Sequence, residues 1–187
     1  MTAEDIIAAI APAVPGASYE ALVSSDAAVT PTILVPREFI VATCQALQGP
    51  GLEYVAFSDV TAVDYHPNRL PRYDLVYHLV SPHRRARVRL KVRINAQEAI
   101  DTLTTLYPGA GWPEREVYDL FGIVFDGHTD LRRLMMPDDW EGHPLRKDYA
   151  VQLRKDAQTY MPLQVTEEEF RANLERDRYQ RGSAKPK

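Results

Sequence analysis

Cysteine is nearly absent from this chain, because its 187 residues include only Cys44. A single thiol cannot form an internal disulfide, and a chain without a disulfide framework suits a reducing compartment such as the cytosol. An iron–sulfur cluster usually needs about four thiolate ligands. The sequence therefore excludes a disulfide-stabilised fold and an iron–sulfur cluster held by this chain alone.

Long apolar runs and net positive charge are lacking as well. The longest apolar run, 6–14, is interrupted by Pro12 and is far shorter than the roughly 20 residues of a transmembrane helix. The net charge of -4 and the pI near 5.7 argue against a general binder of nucleic acids or anionic membranes. The N-terminal residues MTAED are acidic, whereas secretory and mitochondrial presequences are basic, so no targeting segment is expected.

The common nucleotide-binding and nucleophile motifs are missing too. The chain contains neither a G-x-G-x-x-G loop nor a G-x-x-x-x-G-K-[ST] loop, so dinucleotide or triphosphate binding by such loops is not indicated. It also contains no G-x-S-x-G elbow and no cysteine with a plausible base nearby. We therefore predict that the chain itself has no catalytic, cofactor-binding or metal-binding residues.

Apolar periodicity predicts an α+β fold, with helices packed on a small, mostly antiparallel sheet over residues 1–125. The capping-box spacing of Thr2 and Asp5 predicts a first helix that ends before Pro12. Strands are expected at 32–35, 54–57, 61–65, 73–80 and 86–94, with 73–80 placed centrally because both of its faces are apolar. Further helices are expected after Pro36, after Asn95 and from Trp112 to a cap at Gly122.

Apolar stripes on these predicted elements define a candidate core. Each stripe recurs at helical or strand spacing, so its members should face the same interior. The predicted core residues are Phe39, Ile40, Leu75, Tyr77, Leu79, Val88, Leu90, Val92, Leu103 and Leu106.

The predicted strand at 86–94 has one apolar face and one basic face. Arg87, Arg89, Lys91 and Arg93 alternate with apolar residues, so the four cations share a face. This face fits either a solvated outer sheet surface or a contact with an acidic partner. RNA binding is less well supported, because no aromatic residues interleave with the cations to stack on bases.

Residues 126–187 are predicted to form an extended, irregular, partner-binding arm with a C-terminal helix capped by Thr166 and Glu169 and a disordered tail from Gly182. We call 126–149 the proximal arm. It lacks a regular period, but large apolar side chains are interleaved through it and need a surface to cover them. We expect another subunit to supply that surface; the alternative is that the arm folds back on its own domain. The side chains concerned are Leu131, Leu134, Met135, Met136, Trp140, Leu145 and Tyr149.

The same stretch contains the best candidate for a metal site, which would suit a stand-alone metal-dependent enzyme. Its spacing matches no established ligand pattern such as H-E-x-x-H. Carboxylates close to arginines and lysines more often form ion pairs and loop caps, so this enzyme is the remote alternative. The candidate ligands are His128, Asp130, Asp138, Asp139, Glu141 and His143.

The stretch 114–149 also resembles the signature of a known family. The sequence E-R-E from Glu114, followed by Asp119, Leu120-Phe121, His128, Arg132 and Leu134-Met135, has the signature's spacing, and 137–149 resembles the next block. The segment 58–65 resembles a weaker upstream motif. On these residues the chain resembles the C subunit of NADH:quinone oxidoreductase, which is the 30 kDa subunit of respiratory complex I. Thr129 replaces the usual Pro and Gly111 a common Asn, but neither departure removes a charged signature residue.

This resemblance implies a non-redox subunit in the peripheral arm of a proton-translocating complex. The chain is expected to support assembly and electron transfer from NADH to quinone by docking on the D subunit, near the B and I subunits. FMN, iron–sulfur clusters and quinone would be bound by those and other subunits. The complex would hold the chain peripherally at the cytoplasmic face of the bacterial plasma membrane. The alternative is the equivalent subunit of a membrane-bound hydrogenase, a formate hydrogenlyase or a photosynthetic NDH-type complex.

The resemblance also supplies the candidate interface residues, which would orient the arm against its partner. They are Glu114, Arg115, Glu116, Asp119, Leu120, Phe121, Gly122, His128, Leu131, Arg132, Arg133, Trp140, Gly142, His143, Pro144, Leu145, Arg146, Lys147, Asp148 and Tyr149.

Overall fold

The computed structural model describes residues 1–23 and 30–149 of the chain. Within them, helices α1 (Ala3–Ile10), α2 (Ile40–Leu47) and α3 (Gly111–Phe121) pack on a five-stranded sheet. Its strands are β1 (Glu20–Leu22), β2 (Thr32–Leu34), β3 (Ala56–Asp64), β4 (Tyr73–Ser81) and β5 (Ala86–Ile94). The predicted α+β class is confirmed, whereas the predicted C-terminal helix and tail lie outside the described residues.

The strand order in the sheet is β1-β2-β5-β4-β3. Strands β3, β4 and β5 form an antiparallel meander, while β2 pairs with β5 in parallel, so the sheet is mixed. Strand β4 has a neighbour on both edges, as predicted from its two apolar faces. The two strands predicted at 54–57 and 61–65 are one strand, β3, with a shift in register between Phe57 and Asp59. The exposed residues Ser58 and Asp59 at this irregularity explain why the apolar pattern is interrupted there.

The core lies between the helices and one face of the sheet. Strand β5 contributes Val88, Leu90, Val92 and Ile94, all fully buried, which confirms the predicted apolar face of this strand. Eight of the ten predicted core residues are buried in this cluster, and Leu106 packs against it half-buried. The exception is Phe39, which is half-buried on the 3-10 turn before α2 and is not a member of the cluster.

Two helix ends agree with the predictions from local sequence signals. The side chain of Thr2 accepts a hydrogen bond from the Asp5 amide, and Asp5 accepts one from the Thr2 amide, so the capping box at α1 is formed. Helix α3 ends at Gly122, whose φ of 74° lies in the left-handed region that glycine adopts without strain.

The prediction of a helix after Asn95 is wrong. The expected capping contacts do form, because the Asn95 amide donates to the Glu98 carboxylate. The chain then enters β6 (Ile100–Asp101), which pairs in parallel with β7 (Phe125–Asp126) in a second small sheet. This distant pairing, together with the β-branched Thr102 that follows, outweighs the local helical signal.

Contacts group Met1–Tyr149 into one compact unit. The proximal arm therefore belongs to the same unit as residues 1–125, and the predicted boundary after Phe125 falls inside it. Among the described residues, no helix has the length and apolar character needed to cross a membrane.

Candidate functional site

Asp119 on α3 is fully buried, and groups from the proximal arm converge on its carboxylate. Its Oδ2 atom accepts hydrogen bonds from the amides of Leu134, Met135 and Met136 at 2.9, 2.7 and 2.8 Å. Its Oδ1 atom accepts one from Nη1 of Arg133 at 2.7 Å. A single residue of α3 thereby sets the backbone path of the arm from 133 to 136.

These donors also determine the charge state of Asp119. Burial by itself would raise the pKa of the carboxyl group, because it penalises the charged form. The Met136 amide, the Arg133 guanidinium and the two other amides outweigh burial and hold the pKa below its ordinary value. A carboxylate kept charged by four donors is a structural anchor and a poor proton donor.

The C-terminal end of α3 is capped by the proximal arm. The last carbonyls of an α-helix have no partner within the helix. Here the Asp119 carbonyl accepts from Nδ1 of His143 at 2.9 Å, the Leu120 carbonyl from the Leu145 amide at 3.0 Å, and the Phe121 carbonyl from Nε of Arg146 at 2.5 Å. The Arg146 cation also favours the negative end of the helix dipole.

His143 fits this position as a neutral ring. A carbonyl oxygen can only accept, so Nδ1 of His143 carries the hydrogen that it donates to Asp119. Burial lowers the pKa of the imidazole, which favours the uncharged form.

Gly122 leaves room for this cap. A Cβ atom at this position would lie 2.5 Å from Cδ2 of His143 and would also clash with Nη2 of Arg146. Both its left-handed backbone and its missing side chain are therefore needed where the arm crosses the end of α3.

A second anchor joins the end of the proximal arm to the sheet. Nε and Nη2 of Arg72 donate to the two carboxylate oxygens of Asp64 at 2.9 and 2.7 Å. Nη1 and Nη2 of the same guanidinium donate to Asp148 at 3.0 and 2.6 Å. The Lys147 amide also donates to Asp64, at 2.9 Å. Arg72 thus connects the upstream motif at 58–65 with the last residues of the arm.

Asp64 is held in its charged form by this arrangement. Burial opposes the charge, but the Arg72 guanidinium and the amides of Lys147 and His66 lower the pKa of Asp64 to about 2. The side chain of Asp64 is 0% exposed and that of Arg72 is 10% exposed, so the pair is screened little by solvent.

A third anchor fixes the start of α3. The fully buried Glu114 accepts from the Leu103 amide at 2.8 Å and from the Thr102 hydroxyl at 2.5 Å. His128 lies beside it, with Nε2 at 4.0 Å from the carboxylate. Burial raises the pKa of Glu114, and the hydrogen bonds from Thr102 and Leu103 offset only part of that effect. Glu114 therefore differs from Asp119 and Asp64, whose guanidinium partners lower their pKa values.

The hydrogen bonds of His128 show which of its ring nitrogens carries hydrogen. Nδ1 accepts from the Asp130 amide at 3.0 Å, so Nε2 is the protonated nitrogen of the neutral ring and donates to the Gly111 carbonyl at 3.1 Å. The turn at 128–130 is thereby tied to the first residue of α3.

Arg115 and Trp112 border an open groove of about 450 Å³ between α3 and the proximal arm. Arg115 donates to the carbonyls of Arg132 and Arg133 at 3.1 and 2.9 Å, and its guanidinium lies 5.1 Å from the centre of the Trp112 ring. The Trp112 side chain is 63% exposed. An exposed tryptophan held under an arginine is typical of a protein–protein contact surface.

The structure places the candidate interface residues in two groups. One group is buried or holds the arm to α3, and it consists of Glu114, Arg115, Asp119, Phe121, Gly122, His128, Arg133, His143 and Arg146. Exposed members of the other group are Glu116, Arg132, Gly142, Leu145, Lys147 and Asp148; its half-buried members are Leu120, Leu131, Trp140, Pro144 and Tyr149. Contact of either group with another subunit stays a prediction.

The six candidate metal ligands are not brought together. His128 faces Glu114 and Gly111, whereas His143 faces the end of α3. Among the described residues no group of three or more His, Cys, Asp or Glu side chains is placed to hold a metal ion. Cys44 is fully buried in α2, and burial raises the pKa of its thiol.

Two anchoring residues were missed by the sequence interpretation. Arg72 follows a proline-rich turn and matches no motif, and Thr102 was assigned to a helix that does not form. Asp148, a partner of Arg72, lies 76 residues away from it in the sequence. Glu114, the partner of Thr102, lies 12 residues away. Asp64, one of the two acidic residues in the upstream motif, was a signal that a cation should lie nearby.

Known proteins are similar to this chain over the region that contains the three anchors. Residues 33–155 match the family described as "Respiratory-chain NADH dehydrogenase, 30 Kd subunit". The C subunit of NADH-quinone oxidoreductase from Geobacter metallireducens is 49% identical over 122 residues, which cover 65% of this chain and 75% of that protein. The subunit of the same name from Methylobacterium radiotolerans is 40% identical over 172 residues, which cover 87% of this chain and 80% of that protein.

Two solved structures share the fold. One is the trypsin-resistant fragment (1-134) of Nqo5, with a TM-score of 0.56 and 29% identity over 70% of this chain and 100% of the fragment. The other is a chain of the membrane-bound sulfane sulfur reductase, an archaeal respiratory membrane complex. It has a TM-score of 0.65 and 25% identity, and the match covers 87% of this chain and 94% of that one.

Proposed function

The chain belongs to the family of the 30 kDa subunit of respiratory-chain NADH dehydrogenase, and we propose that it is a non-redox subunit of a proton-translocating NADH:quinone oxidoreductase. In this proposal it lies in the peripheral arm, docks on the D subunit near the B and I subunits, and supports assembly and electron transfer to quinone. Other subunits bind FMN, the iron–sulfur clusters and quinone. The activity belongs to the assembled complex, which holds the chain at the cytoplasmic face of the plasma membrane.

The observation that best supports this proposal is that charged residues between 114 and 149 form hydrogen bonds within the chain. Asp119 and Arg133 bond to each other and to backbone groups, and Arg146 caps the end of α3. Asp119 is held as an anion by these bonds and is therefore poorly suited to donate a proton. These contacts fit a subunit whose task is to hold one loop in one shape.

The side chains that this loop exposes support a docking role. Met135 is 64% exposed and Leu145 is 49% exposed, although each lies next to a residue anchored to α3. Apolar side chains presented by a rigid backbone lose little conformational entropy on binding. The Trp112 groove adds an aromatic anchor of the kind found at interface hot spots.

A second candidate is the equivalent subunit of a related membrane complex with a different electron donor or acceptor. It is favoured by the similarity to a chain of the sulfane sulfur reductase, whereas the relatives at 40% and 49% identity favour NADH:quinone oxidoreductase. The separated positions of His128 and His143 make the stand-alone metal enzyme the weakest of the three candidates.

Affinity purification from native membranes tests the proposal. The tagged chain is extracted in a mild detergent, and the co-purifying proteins and cofactors are identified by mass spectrometry and absorbance. We expect a complex that contains flavin and iron–sulfur proteins and reduces quinone with NADH. A complex that lacks NADH oxidation but reduces sulfur or protons would support the second candidate, and recovery of the chain alone would reject both.

A further inference from the structure

The outer face of the sheet carries a row of cations that the three anchors do not use. Strand β5 turns its apolar side chains toward the core, so its alternate residues face the opposite side. We call this row the basic stripe, and it consists of Arg87, Arg89, Lys91 and Arg93. Successive members lie about 7 Å apart along the strand.

The strand register gives the basic stripe both apolar and polar neighbours. Lys91 lies between Leu34 of β2 and Val76 of β4, and Arg87 lies opposite Val80. Arg89 lies between Thr32 and His78. Leu34 and Val80 are half-buried, so part of their apolar surface is open beside the cations. Arginines next to partly exposed aliphatic side chains are a composition found at protein–protein interfaces.

Asp74 on β4 supplies negative charge at one end of the stripe. It is 2% exposed, lies opposite Arg93 and has its carboxylate 3.8 Å from Nε of that residue. It also forms an ion pair with Arg69. Because the whole chain has a net charge of -4, the stripe is a local concentration of positive charge and does not follow from a basic composition.

We propose that the basic stripe docks an acidic, amphipathic helix of a neighbouring subunit. Strands β4 and β5 each have hydrogen-bonded neighbours on both edges, so a partner must bind through side chains and cannot add as a strand. In a helix, residues eight positions apart are separated by about 12 Å, which is close to the spacing of about 13 Å between Arg87 and Lys91 along the strand. Its acidic row would pair with Arg87 and Lys91, and its apolar row would cover the half-buried Val80 and Leu34.

This inference rests on the proposed function, since it requires a multisubunit complex. Site-specific photo-cross-linking in that complex tests it directly. A photoreactive residue takes the place of Arg87 on the stripe, of Met135 on the proximal arm, or of the exposed Gln97 in the turn after β5 as a control. We expect position 87 to capture an acidic helical segment of another subunit, with at least about tenfold less capture from position 97.

The two proposals fail in different ways in this experiment. Capture of a partner from position 135 without capture from position 87 would overturn the docking of the stripe and leave the proposed function intact. Capture of nucleic acid from position 87 would also overturn it. No capture of another subunit from either position would overturn both proposals.

Charge variants show whether docking depends on the charge of the stripe or only on its shape. The double variant Arg87→Glu, Lys91→Glu should lower the amount of assembled complex more than about tenfold, because like charges at an interface are strongly unfavourable. The double variant Arg87→Gln, Lys91→Gln should lower it much less. Unchanged thermal unfolding of each purified variant shows that the chain still folds, and equal assembly of both variants and the parent would contradict the proposal.

Discussion

At the scale of single residues, three of the buried carboxylates anchor distant parts of the chain to one another. Asp119 and Asp64 are stabilised as anions by guanidinium groups and amides, and their pKa values are lowered. Glu114 has only a hydroxyl, an amide and a histidine 4.0 Å away, and burial raises its pKa. Each acid joins parts of the chain that are distant in sequence, so each is an anchor of the tertiary structure.

Removing the Asp119 anchor should destabilise the chain strongly. Asp119→Ala leaves Arg133 and three amides without their acceptor, and the loss of a buried charged partner costs about 3–5 kcal/mol of unfolding free energy. The control is Glu116→Ala on the same helix, where an exposed side chain should change the free energy by less than about 0.5 kcal/mol. Urea denaturation measures both, and equal losses in the two variants would show that Asp119 is not an anchor.

The lowered pKa of Asp64 predicts a pH dependence of stability. Its carboxyl group titrates at about 2 in the folded chain and near 3.8 when unperturbed, so it stabilises the fold above pH 4 and loses this contribution as the pH falls toward 2. The contribution at neutral pH is about 2 kcal/mol. Asp64→Asn should remove this part of the acid dependence.

Asp59→Asn, an exposed change on the same strand, is the control for that measurement. Chemical denaturation between pH 2.5 and 7 would follow the parent chain and both variants. If the parent chain and Asp64→Asn lose stability in parallel as the pH falls, Asp64 does not have a lowered pKa.

At the scale of helices and strands, elements set by neighbouring residues were predictable and those set by distant residues were not. The alternation in β5 and the glycine that ends α3 are visible in sequence, and both agree with the structure. The contacts of Asn95 with Glu98 also form, but Ile100 pairs with Phe125 and no helix follows. Sequence spacing contains no information about such a partner.

The contacts that anchor the proximal arm could not be predicted from the sequence either. The adjacent residues Arg132 and Arg133 have the same chemistry, and the sequence assigned them the same role. In the structure Arg132 is 75% exposed and pairs with Asp130, whereas Arg133 is 17% exposed and pairs with Asp119. Only the fold of the arm over α3 distinguishes them.

Gly122 connects α3 with the arm and allows a test at this scale. Gly122→Ala adds the cost of a left-handed non-glycine residue, about 1 kcal/mol, and a Cβ clash with His143 and Arg146. Gly127→Ala has a similar φ of 80° but meets only the Thr102 side chain, at 3.4 Å, so it serves as the control. Gly122→Ala should be the more destabilising by about 1–3 kcal/mol.

Limited trypsin digestion provides a second readout of the same pair of variants. Displacing the arm should speed cleavage after Arg132 and Arg133 in Gly122→Ala and leave it nearly unchanged in Gly127→Ala. Equal stability and equal cleavage would mean that the arm does not depend on its crossing of Gly122.

At the scale of the whole molecule, the described residues form one unit in which the proximal arm is already held in place. The sequence left open whether a partner or the chain's own domain covers the arm. Its backbone is bonded to α3 and to Asp64, while Met135, Leu145 and Trp112 remain exposed. The domain therefore supplies the shape of the arm, and we expect a partner subunit to cover the side chains that it presents.

The central claim is that the charged residues between 114 and 149 build a scaffold and take no part in electron transfer. The most direct measurement is the amount of intact complex on native gels beside NADH:quinone turnover, for Arg133→Ala and Arg146→Ala, with the exposed Arg84→Ala as the control. We expect assembled complex and membrane activity to fall together in the first two variants, with turnover per assembled complex unchanged within about twofold. Normal assembly with turnover lowered more than about tenfold would contradict the scaffold role and would indicate a direct role near the quinone site.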